Sequence, residues 1–308
     1  MDVLWITLPI FGLVALGWAG AKAGLFDGAT ASGLSRFVFW LAFPSLLLTS
    51  MAKAPVPNLS HGSVLLVWVG VLLAGHLLAR IAGLGFGLSK VSQAGVGFAA
   101  SSGNTAFLGT AILASLFGPE VLAMAAAFVA LENVLIVGFG VAGLYLAKPA
   151  PDPKSARRAM LGGLTNPVSM GALIGLLIAL TGLQIPPALI RPLDMLGAAA
   201  SPAGLVALGI VMATSLPPAQ TQSRRDLDLV VAVKCIALPL MMAGGMALIG
   251  APRDLAIAAT ILAACPSAVN VFIQAQQAEV WGDTAARAVF LTTCVSVVTL
   301  SLAASLAV

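Results

Sequence analysis

Charge is what this sequence has least of. Of 308 residues only 8% are Asp, Glu, Lys or Arg, while 60% are hydrophobic, and the mean hydropathy is +1.05. A soluble domain carries about 25% charged residues; a chain this poor in charge cannot build a water-facing surface, so a soluble enzyme is excluded. Histidine (2) and cysteine (3) are equally scarce. Cys235, Cys265 and Cys294 fall in separate apolar stretches without CxxC spacing or a clustered His, so no metal site is expected and the three read as small packing residues. G-x-x-x-x-G-K-[ST], H-E-x-x-H and G-x-S-x-G are all absent, which leaves no phosphate loop for ATP and no hydrolase motif. The net charge of +4 comes from 15 basic and 11 acidic residues, but the basic ones are scattered over short segments, so no nucleic-acid partner is implied.

What the chain has in abundance is apolar runs. About 20 residues cross roughly 30 Å of hydrocarbon, and hydropathy with Gly/Pro punctuation divides the chain into ten spans near 3–22, 34–52, 62–84, 91–117, 120–147, 165–183, 191–214, 228–249, 255–278 and 284–307. The run from Val3 follows Met1-Asp2, not a basic segment, and is long enough to span, so it reads as a first helix and not a signal peptide. Lys and Arg accumulate on the cytoplasmic side of membrane proteins. One set of alternate loops holds Lys22, Arg36, Arg80, Lys90, Lys148, Lys154, Arg157, Arg158, Arg224, Arg225 and Arg287, and the other only Lys53, Arg191 and Arg253. That bias places a multi-pass protein in the inner (plasma) membrane with both termini outside.

The stretch Lys148 to Gly163 is the one long polar segment, and it separates two halves of five spans: 1–147, a cytoplasmic linker at 148–164, and 165–308. An odd number of spans inverts the second half. Polar, helix-interrupting residues recur at the same ordinal position of each half, SSGNTAFLGT at Ser101–Thr110 in the fourth span and ACPSAVNVFI at Ala264–Ile273 in the ninth, as inverted-repeat transporters require. In hydrocarbon a broken helix is tolerated only where protein or a water-filled cavity covers it. Two such breaks crossing would present half-helix ends, the amides of Asn104 and Asn270 and the hydroxyls of Thr105, Thr110 and Ser267, with Pro266 removing a donor mid-span; that set favours a small anion. The plainer alternative is close helix packing by Gly, Ser and Thr with a proline kink. Ionisable residues within spans are costly and default to functional hypotheses. Glu132, followed by Asn133, is a candidate to bind a coupling ion, H+ or Na+, or to pair structurally; Lys234 is close enough to a loop to snorkel; and His76 is a candidate proton relay or a hydrogen-bonded core histidine.

At these residues the chain resembles the auxin efflux carrier family, whose bacterial members include malonate-type transporters. The resemblance runs over nearly the whole chain: PxLLL at Pro44–Leu48, NTxFLG at Asn104–Gly109, Asn133, TNP at Thr165–Pro167, Pro202–Gly209, and PSAxN at Pro266–Asn270. Many members carry a proline where this chain has Thr110, so the first break rests on Gly103, Asn104 and Gly109. The resemblance implies an all-α, bile acid/sodium symporter-like fold of elevator type, with crossed helices 4 and 9. Spans 1, 2, 6 and 7 would form a homodimerising scaffold and spans 3–5 and 8–10 the moving transport unit. It further implies a substrate site at the crossing that includes Asn133. Together with the residues, this reads as a secondary active or facilitative transporter of a small organic anion without a cofactor. The alternative is an Na+ or H+ exchanger, or a sodium-coupled symporter of another solute.

Overall fold

The computed structural model describes residues 3–53, 62–162, 167–214 and 224–305. Thirteen helices follow one another: α1 (Val3–Lys22), α2 (Gly28–Lys53), α3 (Gly62–Gly85), α4 (Lys90–Ser101), α5 (Thr110–Leu116, entered through a π-helical turn at Thr105–Gly109), α6 (Val121–Ala147), α7 (Pro153–Gly162), α8 (Pro167–Thr181), α9 (Pro187–Thr214), α10 (Arg224–Leu248), α11 (Arg253–Ala264), α12 (Val269–Gln277) and α13 (Gly282–Ser305). No strand forms among the described residues; one isolated antiparallel bridge does. Among the described residues six helices, α2, α3, α6, α9, α10 and α13, are long and apolar enough to cross a bilayer, and α8 is apolar but shorter. Residues 163–166, which carry the first two residues of the TNP element, lie outside the described residues, as do 306 and 307 of the last expected span.

Two elements depart from the hydropathy reading. The second span, expected from residue 34, begins at Gly28 because Asp27 and Thr30 close a reciprocal cap: the Asp27 carboxylate accepts the Thr30 N–H at 2.8 Å and Thr30 Oγ1 accepts the Asp27 N–H at 3.5 Å. That cap satisfies two orphan donors and brings residues 28–33 into the helix. The segment expected as a linker contains α7, which starts with Pro153 at its first position and is capped by Asp152, whose carboxylate accepts the Ser155 N–H at 3.0 Å. It folds back along the end of α6: the Asp152 N–H donates to the Tyr145 carbonyl at 3.2 Å, and Gly138 faces the Met160 backbone.

Proline and glycine set the local geometry. Pro44 and Pro239 cannot donate to the helix ladder, and each follows a π-helical turn, Val38–Ala42 and Ala232–Ala237, a widened turn that makes room for the ring. Helices α1 and α9 meet with Gly17 against the Val206 carbonyl and Gly209 against the Val14 carbonyl; α2 and α8 meet through Gly171 and Gly175 on the Pro44 and Leu48 backbones. Without a hydrophobic force between helices in lipid, such small residues let dispersion hold them together. Gly17→Leu is therefore expected to force α1 off α9, costing about 1–3 kcal/mol as overpacking does. Gly12→Ala, where the added carbon meets nothing within 4 Å, should leave the melting temperature in detergent the same or higher, since alanine is the better helix former.

The largest core cluster surrounds the interrupted helices. Trp68 of α3 stacks on Phe128 of α6 with ring centroids 4.7 Å apart, and its Nε1–H donates to the Phe128 carbonyl at 3.0 Å. Leu72, Leu108, Ile112, Leu238, Met242 and Leu262 complete the packing around the breaks.

Candidate functional site: the crossing of two interrupted helices

Helix α4 stops at Ser101 and α11 at Ala264, and the chain runs extended through Ser102 and through Cys265 to Ala268. The two extended pieces pair antiparallel at Gly103 and Ser267. The Asn104 N–H donates to the Pro266 carbonyl at 2.7 Å, and the Ala268 N–H donates to the Ser102 carbonyl at 3.0 Å. In a bilayer each remaining donor must also find protein, and each does. The Gly103 N–H goes to Glu132 Oε1 at 2.6 Å, the Ser267 N–H to Thr292 Oγ1 at 3.1 Å, and the Ser102 and Cys265 N–H groups to Phe98 and Leu262 carbonyls. Pro266 has no N–H to satisfy. Nothing in the sequence pointed to Thr292; its signal is a hydroxyl pair, Thr292-Thr293, in the middle of an apolar span. Its side chain donates to the Ala288 carbonyl at 2.7 Å and is left free to accept. Thr292→Val removes the only acceptor given to a buried N–H, so it should cost about 1–3 kcal/mol, read as a lower melting temperature than that of Ser305→Ala at the exposed end of the same helix.

The charges sit according to helix polarity. Glu132, in a π-helical turn of α6 and 2% exposed, accepts from Gly103 N–H and, at 2.9 Å through Oε2, from the Thr105 hydroxyl. A carboxylate is thus placed at the amino end of the Thr105–Leu116 half-helix. Lys234, in a π-helical turn of α10 and 1% exposed, donates to the Ala263 carbonyl at 3.3 Å, at the carboxyl end of α11. Anions at amino ends and cations at carboxyl ends complement the helix dipole. The two side chains form no direct ion pair but lie within electrostatic reach; Lys234 Nζ lies 3.0 Å from where a side-chain carbon on Gly103 would sit, so a larger residue there would push the ammonium or the Thr105 methyl aside. The snorkelling expected of Lys234 does not occur: the ammonium turns inward to the end of α11 instead of outward to the loop.

The other sequence-selected residues divide into those the fold has engaged and those it has not. Thr105 is committed to Glu132, Ser267 Oγ donates to the Ala99 carbonyl at 2.8 Å, and Thr110 Oγ1 donates to the Ala106 carbonyl of its own helix. Asn133, half-buried beside Glu132, donates to the Val129 carbonyl at 2.9 Å. Asn270, half-buried in the first turn of α12, accepts from Gln274 Nε2 at 3.3 Å. His76 is a neighbour of the crossing, not a member: its Nδ1 lies 3.1 Å from Ser101 Oγ, whose own hydrogen goes to the Gly97 carbonyl at 2.8 Å, which makes Nδ1 the donor. Asn104 is the exception. Its backbone closes the crossing, its side chain is 2% exposed, and Nδ2 has no partner.

Apolar helices of membrane-crossing length, packed around two interrupted helices whose polar backbone meets inside the bundle, define a polytopic membrane protein with a polar site in its apolar interior. The chain belongs to the membrane transport protein family, whose description matches residues 3–150 and 151–304; this is the auxin efflux carrier family of the sequence resemblance. It is similar to the "Putative malonate transporter" of Rhizobium meliloti (strain 1021), 28% identical over 306 residues, with 97% of this chain and 94% of the relative covered. It is also similar to an "Uncharacterized transporter" of Methanothermobacter thermautotrophicus (strain Delta H), 29% identical over 300 residues, with 96% and 95% covered. It is a membrane transporter, not an enzyme.

Proposed function

We propose that this chain is a secondary transporter of a small organic anion, a carboxylate or dicarboxylate, which it engages at the crossing. The observation that carries this reading is the unpartnered amide of Asn104. A buried donor without an acceptor costs about 1–3 kcal/mol, and a carboxylate oxygen supplies the acceptor without requiring a second buried cation. Asn133 lies beside Glu132, Asn270 opens α12, and the Lys234 ammonium lies on the far side of Gly103, so the surroundings are donor-rich. The name of the Rhizobium relative makes malonate the first compound to test. The exchanger alternative is less well served, because both Glu132 oxygens already accept from protein donors and a cation would have to displace them.

The proposal extends to architecture. Counting α4 with α5 and α11 with α12 as interrupted spans, and α7 apart, gives ten crossings in two inverted sets of five. The close glycine contacts unite α1, α2, α8 and α9 as a scaffold that dimerises, and the remaining helices form the transport unit. Between the two, Ala126 and Val129 share one buried apolar cluster with Phe43, Leu47, Met51, Ala172 and Ala200 of the scaffold, a seam of apolar side chains that suits an elevator movement. The protein would lie in the inner membrane with both termini outside, as its basic residues imply.

A ligand at a hundredfold excess over its Kd stabilises the folded state by about 2.7 kcal/mol. Purified protein screened against mono- and dicarboxylates should show a raised melting temperature with at least one of them. A melting temperature moved by Na+ but by none of the carboxylates would overturn the reading.

A further inference from the structure

Helix α7 has a use that the transport site does not need. Its residues Lys154, Arg157, Arg158 and Leu161 fall at i, i+3, i+4 and i+7, one face of a helix, and all four are exposed, while Ala156 is buried on the opposite face. Among the described residues no acid pairs with the three cations. Asp152, the nearest acid in sequence, is turned into the helix cap, where the Ser155 hydroxyl and N–H hold its carboxyl below the usual carboxylate range.

Depth follows from how α7 folds back. Its start is tied to Tyr145, and Met160 reaches Gly138, seven residues earlier in α6, which is about 10 Å along the axis. Helix α6 is 27 residues long, about 40 Å, so it overshoots a 30 Å hydrocarbon core by about 10 Å, and the last turns, alongside which α7 lies, stand at head-group level. Lys148, with its ammonium 5.7 Å from the Tyr145 ring centroid, marks that level. Lys154 stands near that level, Arg157 and Arg158 come one turn nearer the hydrocarbon, and the exposed Met160 and Leu161 follow toward the level of Gly138, next to which Phe139 is exposed as well. Cations over a lipid-facing apolar surface match the two halves of one molecule, a phosphate head on acyl chains.

We propose that this face of α7 is a binding site for anionic phospholipid, with Arg157 and Arg158 taking the phosphate oxygens, Lys154 adding charge above them, and Leu161 with Phe139 receiving the acyl chains. Arginine suits the role because its planar fork meets phosphate with two parallel hydrogen bonds. The occupant is a lipid and not a soluble phosphate, because the site continues into apolar surface that a soluble anion leaves bare.

The test titrates detergent-purified protein with phosphatidylglycerol or cardiolipin, and in parallel with phosphatidylcholine, glycerol 3-phosphate and inorganic phosphate, reading melting temperature and bound lipid by native mass spectrometry. Each basic residue near a membrane surface contributes about 1 kcal/mol, or about fivefold in affinity. Arg157→Gln and Arg158→Gln should each weaken anionic-lipid binding about fivefold, and the triple variant with Lys154→Gln about a hundredfold. Lys90→Gln/Arg224→Gln, which removes charge elsewhere, should bind as the parent does. If the triple variant fails to fold, the two single variants carry the test. Equal losses in the control variant, an undiminished shift in the single variants, equal binding of phosphatidylcholine, or the same stabilisation by glycerol 3-phosphate or inorganic phosphate would each overturn the proposal.

Discussion

Asn104→Leu is expected to weaken carboxylate binding by about one to two orders of magnitude, and to lower uptake into proteoliposomes at subsaturating substrate in proportion, while leaving the protein as stable as the parent or more so. The side chain is isosteric enough to keep the packing, and the structural bond at this position comes from the backbone, whose N–H donates to the Pro266 carbonyl at 2.7 Å whatever side chain follows. The substitution also deletes Nδ2, a buried donor without a partner, and removing such a group is neutral or stabilising. Its loss from a substrate complex is another matter: a hydrogen bond to a charged acceptor contributes about 1.5–3 kcal/mol, so affinity should fall by one to two orders of magnitude. Falling transport with rising melting temperature separates a binding residue from a packing residue. Wild-type uptake by this variant would move the substrate away from the crossing. Loss of fold would show that the amide has a structural partner in the working protein.

How much of this was legible in the chain depends on the kind of signal. The membrane class and the positions of most helices follow from hydropathy, because a span must be apolar over its whole length, and Val3–Lys22 starts and ends where the apolar run does. The start of α2 was missed because a capping pair, Asp27 with Thr30, extends the helix through residues that hydropathy counts as loop. Helix α7 was missed for the same reason, its composition being polar and its cause a cap and a proline. The interruptions at Ser101–Thr105 and Pro266 were legible as polar residues in apolar runs, but the partners of their backbone were not. Thr292 and Lys234 reach the breaks from helices far away in sequence, and no local pattern tells which way a lone threonine or lysine points. That one of the polar side chains, Asn104, is left without a partner is a fact of packing alone.

The other large effect concerns the two buried charges, Glu132 and Lys234. Glu132→Gln keeps an oxygen for the Gly103 N–H, and the Thr105 hydroxyl can reverse to accept from the new amide, so neither hydrogen bond need be lost. What disappears is the negative charge, leaving the Lys234 ammonium, 1% exposed, as an uncompensated cation beside the Ala263 carbonyl. Removing one of two buried charges that compensate each other without forming an ion pair is destabilising, by less than the roughly 3–5 kcal/mol of a contacting pair, whereas replacing both by apolar groups is often tolerated. The single variant should therefore unfold at a markedly lower temperature, and Glu132→Gln/Lys234→Met should recover most of the loss, because the two changes are coupled. If the charges serve only to terminate the half-helices, the double variant regains uptake with the pH dependence of the parent. If Glu132 carries a proton during transport, the double variant regains stability but its uptake no longer responds to an imposed proton gradient, while counterflow of substrate persists. Equal melting temperatures for the single and double variants would break the electrostatic link between the two residues and leave the inward turn of Lys234 without a counter-charge to explain it.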